Sequence, residues 1–252
     1  MTQAQRREYL LRVLLDETPG EQEQRRLLRS LMNIRHPDPI DEAFLKVQDA
    51  YLQEELREKG ITRVEELAPL PRNPQFFLWK GDITALAADA IVNAANSGLL
   101  GCFVPCHGCI DNAIHTCAGI QLRLECDRLM REQGHGEPTG TAKITPAYNL
   151  PCRYVLHTVG PIVTGRLTEQ HEEQLASSYR SCLALAADYR LASIAFCCIS
   201  TGEFHFPQER AAEIAVKTTE DYLRENPAGI KVIFNVFTER DHSIYSRLLG
   251  AD

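Results

Sequence analysis

From Phe76 onward the sequence alternates short apolar runs with longer amphipathic ones, and this alternation limits the fold more than any other feature. Strand-type runs are expected over 76–79, 90–93, 142–146, 154–159, 193–199 and 231–236. Helical periodicity is expected over 110–132, 168–189, 207–225 and 241–249. This order predicts an α/β fold in which helices cover both faces of a sheet. Ligands of such folds gather beyond the carboxyl ends of the strands. Two segments stand at such ends: the asparagines after Ile91-Val92, and Ser200-Thr201-Gly202 after Ile199.

Chemistry concentrates in residues 81–119, GDITALAADAIVNAANSGLLGCFVPCHGCIDNAIHTCAG. Asp82 stands at a strand-to-loop corner, where its carboxylate can accept from an exocyclic amine or cap a turn. Asn93 and Asn96 follow a strand. Buried amides need partners for several donors and acceptors; Asn93 suits pinning of the loop backbone, and Asn96 suits sugar hydroxyls. Cys102-x4-His107-x-Cys109 brings two thiolates and an imidazole within eight residues, a ligand set that zinc favours. Three protein ligands leave one position open, the catalytic pattern; Cys106 would close the site as a fourth ligand or stand by. Asp111 opens a helix, whose N-terminus favours its ionised form. The glycine turn Ser200-Thr201-Gly202-Glu203-Phe204 precedes a helix and can offer backbone amides to a diphosphate. His205 reads as a surface residue and His157 as a core histidine. Phe237 suits an adenine pocket or core packing equally. No GxxxxGK[ST] motif occurs.

GDIT, VNAANS and the loop before IDNAIH resemble the macrodomain family, whose members bind ADP-ribose. The pattern GCFxPxHxC resembles the zinc-containing branch, which hydrolyses ADP-ribose from modified proteins. The resemblance runs from about Phe76 to the C-terminus. It implies a three-layer α/β/α sandwich with a mixed central sheet, over 75–252, and an N-terminal helical extension, over 1–66. It implies adenine at Asp82 and Ile83, the distal ribose at Asn96, and diphosphate along Ser200, Thr201, Gly202, Glu203 and Phe204. CIDNAIH aligns with the family's catalytic stretch, which implies Asp111 as the residue that positions or activates water. It implies one zinc ion per chain, held by Cys102, His107 and Cys109. STGEFHFP resembles the family's second phosphate loop, STGIFGFP, with Glu203 where the pattern has an apolar residue and His205 where it has glycine.

The implied activity is release of mono-ADP-ribose from modified proteins, from acidic side chains. The alternative is an ADP-ribose-binding module in which zinc is structural. The implied partners are a mono-ADP-ribosylated protein, such as a lipoylated carrier related to glycine cleavage H protein, and a sirtuin-type ADP-ribosyltransferase.

Residues 1–66 read as helical. Leu10, Leu11, Val13 and Leu14 form one apolar run. Thr18-Pro19-Gly20-Glu21 reads as a capping box before Leu27, Leu28, Leu31 and Met32. Asp38-Pro39 repeats the start signal before Ile40, Phe44, Val47 and Tyr51, and Gly60 ends that helix. So small a core is expected to pack on the rest. The prolines of 67–74 mark a linker. The net charge of −7 argues against nonspecific binding to nucleic acid or anionic membrane. Nine cysteines, a charged N-terminus and no apolar run of membrane length predict a cytoplasmic protein with reduced thiols.

Overall fold

The computed structural model describes residues 1–15, 23–227 and 229–251. Three helices come first: α1 (Gln3–Leu14), α2 (Gln24–Ile34) and α3 (Glu42–Lys59). Then follow β1 (Thr62–Arg63), β2 (Phe76–Lys80), β3 (Leu86–Ala87), β4 (Ala90–Ala94), α4 (Ile110–Ala118) and α5 (Ile120–Gln133). The rest is β5 (Ala142–Pro146), β6 (Tyr154–Thr158), α6 (Glu169–Asp188), β7 (Ser193–Phe196), α7 (Gln208–Glu225), β8 (Lys231–Val236) and α8 (Glu239–Leu249).

Six strands form one sheet in the order β2-β8-β7-β4-β6-β5. Only β5 runs antiparallel to its neighbour, so the sheet is mixed. The fully buried strand residues Ile91, Val92, Val155, Leu156, Ile194, Val232 and Ile233 explain the unbroken apolar runs, because helices cover both faces. The fold is a three-layer α/β/α sandwich with helices at its N-terminus. The carboxyl ends of β2, β8, β7 and β4 lie along one edge, which gathers the loops after them. No helix among the described residues is long and apolar enough to cross a membrane.

The helical extension has a small core of its own: Leu10, Leu11, Leu28, Met32, Phe44, Tyr51 and Leu52, completed by Ile120 from α5. The sandwich therefore supplies part of that core. Val13, expected with this apolar run, is 44% exposed. α3 begins later than the Asp38-Pro39 signal predicts. Asp41 is its cap, accepting the Phe44 amide at 2.7 Å. The capping box at Thr18 lies outside the described residues.

Three other expectations change. The segment read as a linker is packed, with Leu70 buried and its amide bonded to the Phe76 carbonyl at 2.8 Å. Just before it, β1 pairs with β3. The strand expected over 193–199 ends at Phe196, and the chain turns where the Thr201 amide bonds the Cys198 carbonyl.

The helix expected over 110–132 is two helices. Gly119 breaks it at φ 96° and ψ 175°, a region essentially restricted to glycine. The break frees the Ile120 amide to donate to Gln48 Oε1 of α3 at 3.0 Å. A Cβ at Gly119 would also lie 2.6 Å from Gln48 Nε2. Gly119→Ala is therefore expected to destabilise the protein by about 1–3 kcal/mol, seen as a lower urea midpoint with an unchanged slope.

Candidate functional site

The site is built where β4 hands over to α4. Asn93 is the fourth residue of β4 and fully buried, and Asp111 sits in the first turn of α4. Asn93 Nδ2 donates to Asp111 Oδ1 at 2.8 Å. The same amide lies 3.2 Å from His157 Nδ1, and His157 Nε2 lies 3.0 Å from Thr145 Oγ1. Asn93 thus holds the carboxylate rather than pinning the loop backbone. Asn96 is exposed; its Nδ2 donates to Asp111 Oδ2 at 3.3 Å and to the Gly101 carbonyl at 3.2 Å. Two amides therefore fix both oxygens of Asp111. Burial raises Asp111 to about 6, while Asn93, Arg123 and Asn96 oppose the rise. The helix N-terminus does not keep this carboxylate in the ordinary acidic range, because desolvation outweighs it.

Between β4 and α4 runs the cysteine–histidine loop. Donor atoms of Cys102, His107 and Cys109 all lie within 4.8 Å of one another. His107 turns Nδ1 toward Cys102 Sγ, at 3.6 Å. Burial, with Cys102 alongside, pushes the Cys109 thiol up to about 12. Two thiolates this close need a cation between them, and the set of two sulfurs and one imidazole fits zinc. Cys106 points elsewhere: its Sγ meets the Arg26 carbonyl at 3.3 Å and its amide donates to Asn33 Oδ1 at 2.9 Å. Helix α2 thus reaches this loop. Arg29 Nη2 also donates to the His107 carbonyl at 3.0 Å and to Asn112 Oδ1 at 2.9 Å.

The turn after β7 comes alongside. Its Glu203 Oε1 lies 3.5 Å from His107 Nε2. The turn closes on itself through the amides of Thr201, His205 and Phe206, which bond the carbonyls of Cys198, Gly202 and Ser200. Among the described residues, the amides of Gly202, Glu203 and Phe204 have no protein partner. Thr201 therefore offers its amide inward, and three consecutive amides remain for an anion. Non-glycine residues with positive φ are few, and four lie in these two loops: Leu99, Cys106, Ser200 and His205. Such strain persists where surrounding structure over-determines it, as at functional sites.

Asp82 follows β2 and caps a short 3-10 turn, with Oδ1 accepting from the Thr84 amide at 2.9 Å and the Thr84 hydroxyl at 2.7 Å. Its Oδ2 accepts from Lys59 Nζ at 2.7 Å. Burial alone would raise Asp82, but these bonds hold it below the usual carboxylate value. Ile83 is buried, so its side chain packs in the core. Phe237, after β8, is 78% exposed and forms no part of the core. His205 is exposed, as expected.

Sequence reasoning missed Lys59, which nothing before the fold connects to Asp82, and it missed His115. The His115 Nε2 lies 3.6 Å from Asp111 Oδ1. Burial, with His157 and Arg123 adding, lowers His115 far below the ordinary range, so the ring is neutral. Its spacing from Asp111, i to i+4 on one helix face, was the available signal. His115, Cys126 and His157 form a second donor cluster, wholly buried. There both His157 nitrogens already have partners, and burial pushes the Cys126 thiol up. It reads as a polar core network.

The Macro domain family profile matches residues 92–215. A protein-ADP-ribose hydrolase of Treponema medium is 56% identical over 261 residues, covering 99% of this chain and 100% of that protein. A protein-ADP-ribose hydrolase of Staphylococcus aureus (strain MSSA476) is 48% identical over 227 residues, covering 90% of this chain and 85% of that protein. A crystal structure of a Trypanosoma brucei macrodomain in complex with ADP-ribose superposes with a TM-score of 0.69 at 32% identity, covering 88% of this chain and 95% of that one.

The amide of Asn93 is the test of this geometry. Asn93→Leu keeps the volume but removes the buried donor to Asp111 and His157. It is expected to lower stability by about 1–3 kcal/mol, measured by urea denaturation at neutral pH.

Proposed function

This chain belongs to the macrodomain family, and on that premise we propose that it is a zinc-dependent hydrolase releasing mono-ADP-ribose from acidic side chains of modified proteins. The observation that carries this reading is the convergence of the Cys102–His107–Cys109 set with Asn96 and Asp111. All five lie within one stretch at the carboxyl end of β4. A binding module needs no such carboxylate beside a metal set. The protein-ADP-ribose hydrolases to which the chain is similar support hydrolysis.

In this reading the adenine lies against Asp82 and the Ile83 backbone, and the diphosphate takes the amides of Gly202, Glu203 and Phe204. Asn96 holds the distal ribose through its amide oxygen, since both hydrogens of Nδ2 are donated to Asp111 and Gly101. Asp111, fixed by Asn93 and Asn96, orients the attacking water and takes up its proton. Water adds across the ribosyl ester; the products are ADP-ribose and the restored Asp or Glu. Zinc bound by Cys102, His107 and Cys109 would supply Lewis acidity toward an oxygen at the distal ribose, or lower the pKa of a bound water.

The wider setting rests on the resemblance of the metal loop to the zinc-containing branch. It comprises a lipoylated glycine cleavage H-like carrier as substrate and a sirtuin-type transferase as the opposing enzyme. Nine unpaired thiols suit a reducing compartment such as the cytoplasm.

The test is release of ADP-ribose from a protein modified on Asp or Glu, with zinc content known. Asp111→Ala is expected to lower turnover by roughly 100-fold or more while largely sparing ADP-ribose affinity. His107→Ala is expected to lose zinc and turnover together. Bound ADP-ribose without turnover by zinc-loaded wild type would favour the binding module.

A further inference from the structure

We propose that Glu203 is a positioning residue for the metal loop, and that through it occupancy of the diphosphate turn is coupled to metal affinity. This rests on the zinc reading above, in that Cys102, His107 and Cys109 hold the ion.

An imidazole offers a metal one bare nitrogen, and its other nitrogen then carries hydrogen. In His107 the two ring nitrogens face different partners. Nδ1 faces Cys102 Sγ at 3.6 Å, and Nε2 faces Glu203 Oε1 at 3.5 Å. A carboxylate on Nε2 selects the tautomer with Nε2–H, leaves Nδ1 bare toward the cysteines, and raises its basicity. The His107 carbonyl is held separately by Arg29. Backbone and ring are thus oriented from opposite sides, by α2 and by the turn after β7.

The Glu203 side chain is 67% exposed and His107 is its only ionic partner among the described residues. It stands where the resembled phosphate loop carries an apolar residue, and Ser200 and His205 flank it with left-handed backbone, φ 66° and 55°. The Glu203 amide is among those in this turn without a protein partner. One residue therefore presents its amide to an anion and its carboxylate to a metal-ligand histidine. An anion that fixes this backbone also fixes the carboxylate against His107. The two equilibria are then linked, and the linkage is reciprocal.

The experiment is zinc affinity of the full chain, measured by competition with a chromophoric chelator, with and without saturating ADP-ribose. Wild type is expected to bind one equivalent, and more tightly with ADP-ribose present. Glu203→Ala is expected to weaken zinc binding by roughly 10–100-fold and to shrink the effect of ADP-ribose. Glu203→Gln, which keeps an acceptor but not the charge, is expected to fall between. Unchanged zinc affinity in Glu203→Ala, with wild type binding one equivalent, overturns the proposal and leaves the zinc reading standing. Absence of zinc binding by wild type takes both down.

Discussion

The hydrogen bond from the Asn93 amide to the Asp111 carboxylate joins the end of a central strand to the start of a helix, across a buried gap of 2.8 Å. The rest of the site depends on it. The chain between these residues must leave the sheet, form the cysteine–histidine loop and return within reach. Asn96 adds a second amide to the same carboxylate, and Gly101 accepts from Asn96. His157 and Thr145 support Asn93 from β6 and β5. A carboxylate so fully desolvated is tolerable because its oxygens are bonded.

The helical extension belongs to the same construction. The last carbonyls of a helix have no partner within it. At the end of α2 the carbonyls of Met32 and Asn33, and that of Arg35 just beyond it, are gathered by one buried guanidinium, Arg123 of α5. A cation at a helix C-terminus also opposes the negative end of the helix dipole. Arg123 further donates to the Leu100 carbonyl and stacks on Phe103, both in the loop before α4. With Arg29 and Asn33 bonded to the same loop, the extension fixes the backbone of the cysteine–histidine loop as well as covering the sandwich. Lys59, at the end of α3, reaches Asp82 and so touches the other end of the site.

Much of this was legible in the sequence, and the limits have physical causes. Strand and helix types followed from periodicity because burial on both sheet faces leaves continuous apolar runs at 90–92 and 232–234. The meeting of Cys102, His107 and Cys109 was legible because side chains that converge within one loop lie close in sequence. The helix break at Gly119 was hidden because an apolar pattern continues through it, and the Gln48 that receives the freed Ile120 amide lies far away in the chain. Asn93 was misread for the same reason. Its partner was thought to be the adjacent backbone, but its amide serves a helix that folds back onto the strand. Glu203 looked like a departure from a motif, and only the approach of two loops gives it a partner.

In the proposed reading a metal set, a fixed carboxylate and an anion-binding turn form one site. A crystal structure of zinc-loaded Asp111→Ala with ADP-ribose, recorded at the zinc absorption edge, tests it directly. The account requires one anomalous peak, about 2.3 Å from the sulfurs of Cys102 and Cys109 and about 2.0–2.1 Å from His107 Nδ1. The distal ribose should lie beside it and the diphosphate on the amides of Gly202, Glu203 and Phe204. A peak elsewhere, or a ribose turned away from the Cys102–His107–Cys109 set, would contradict it.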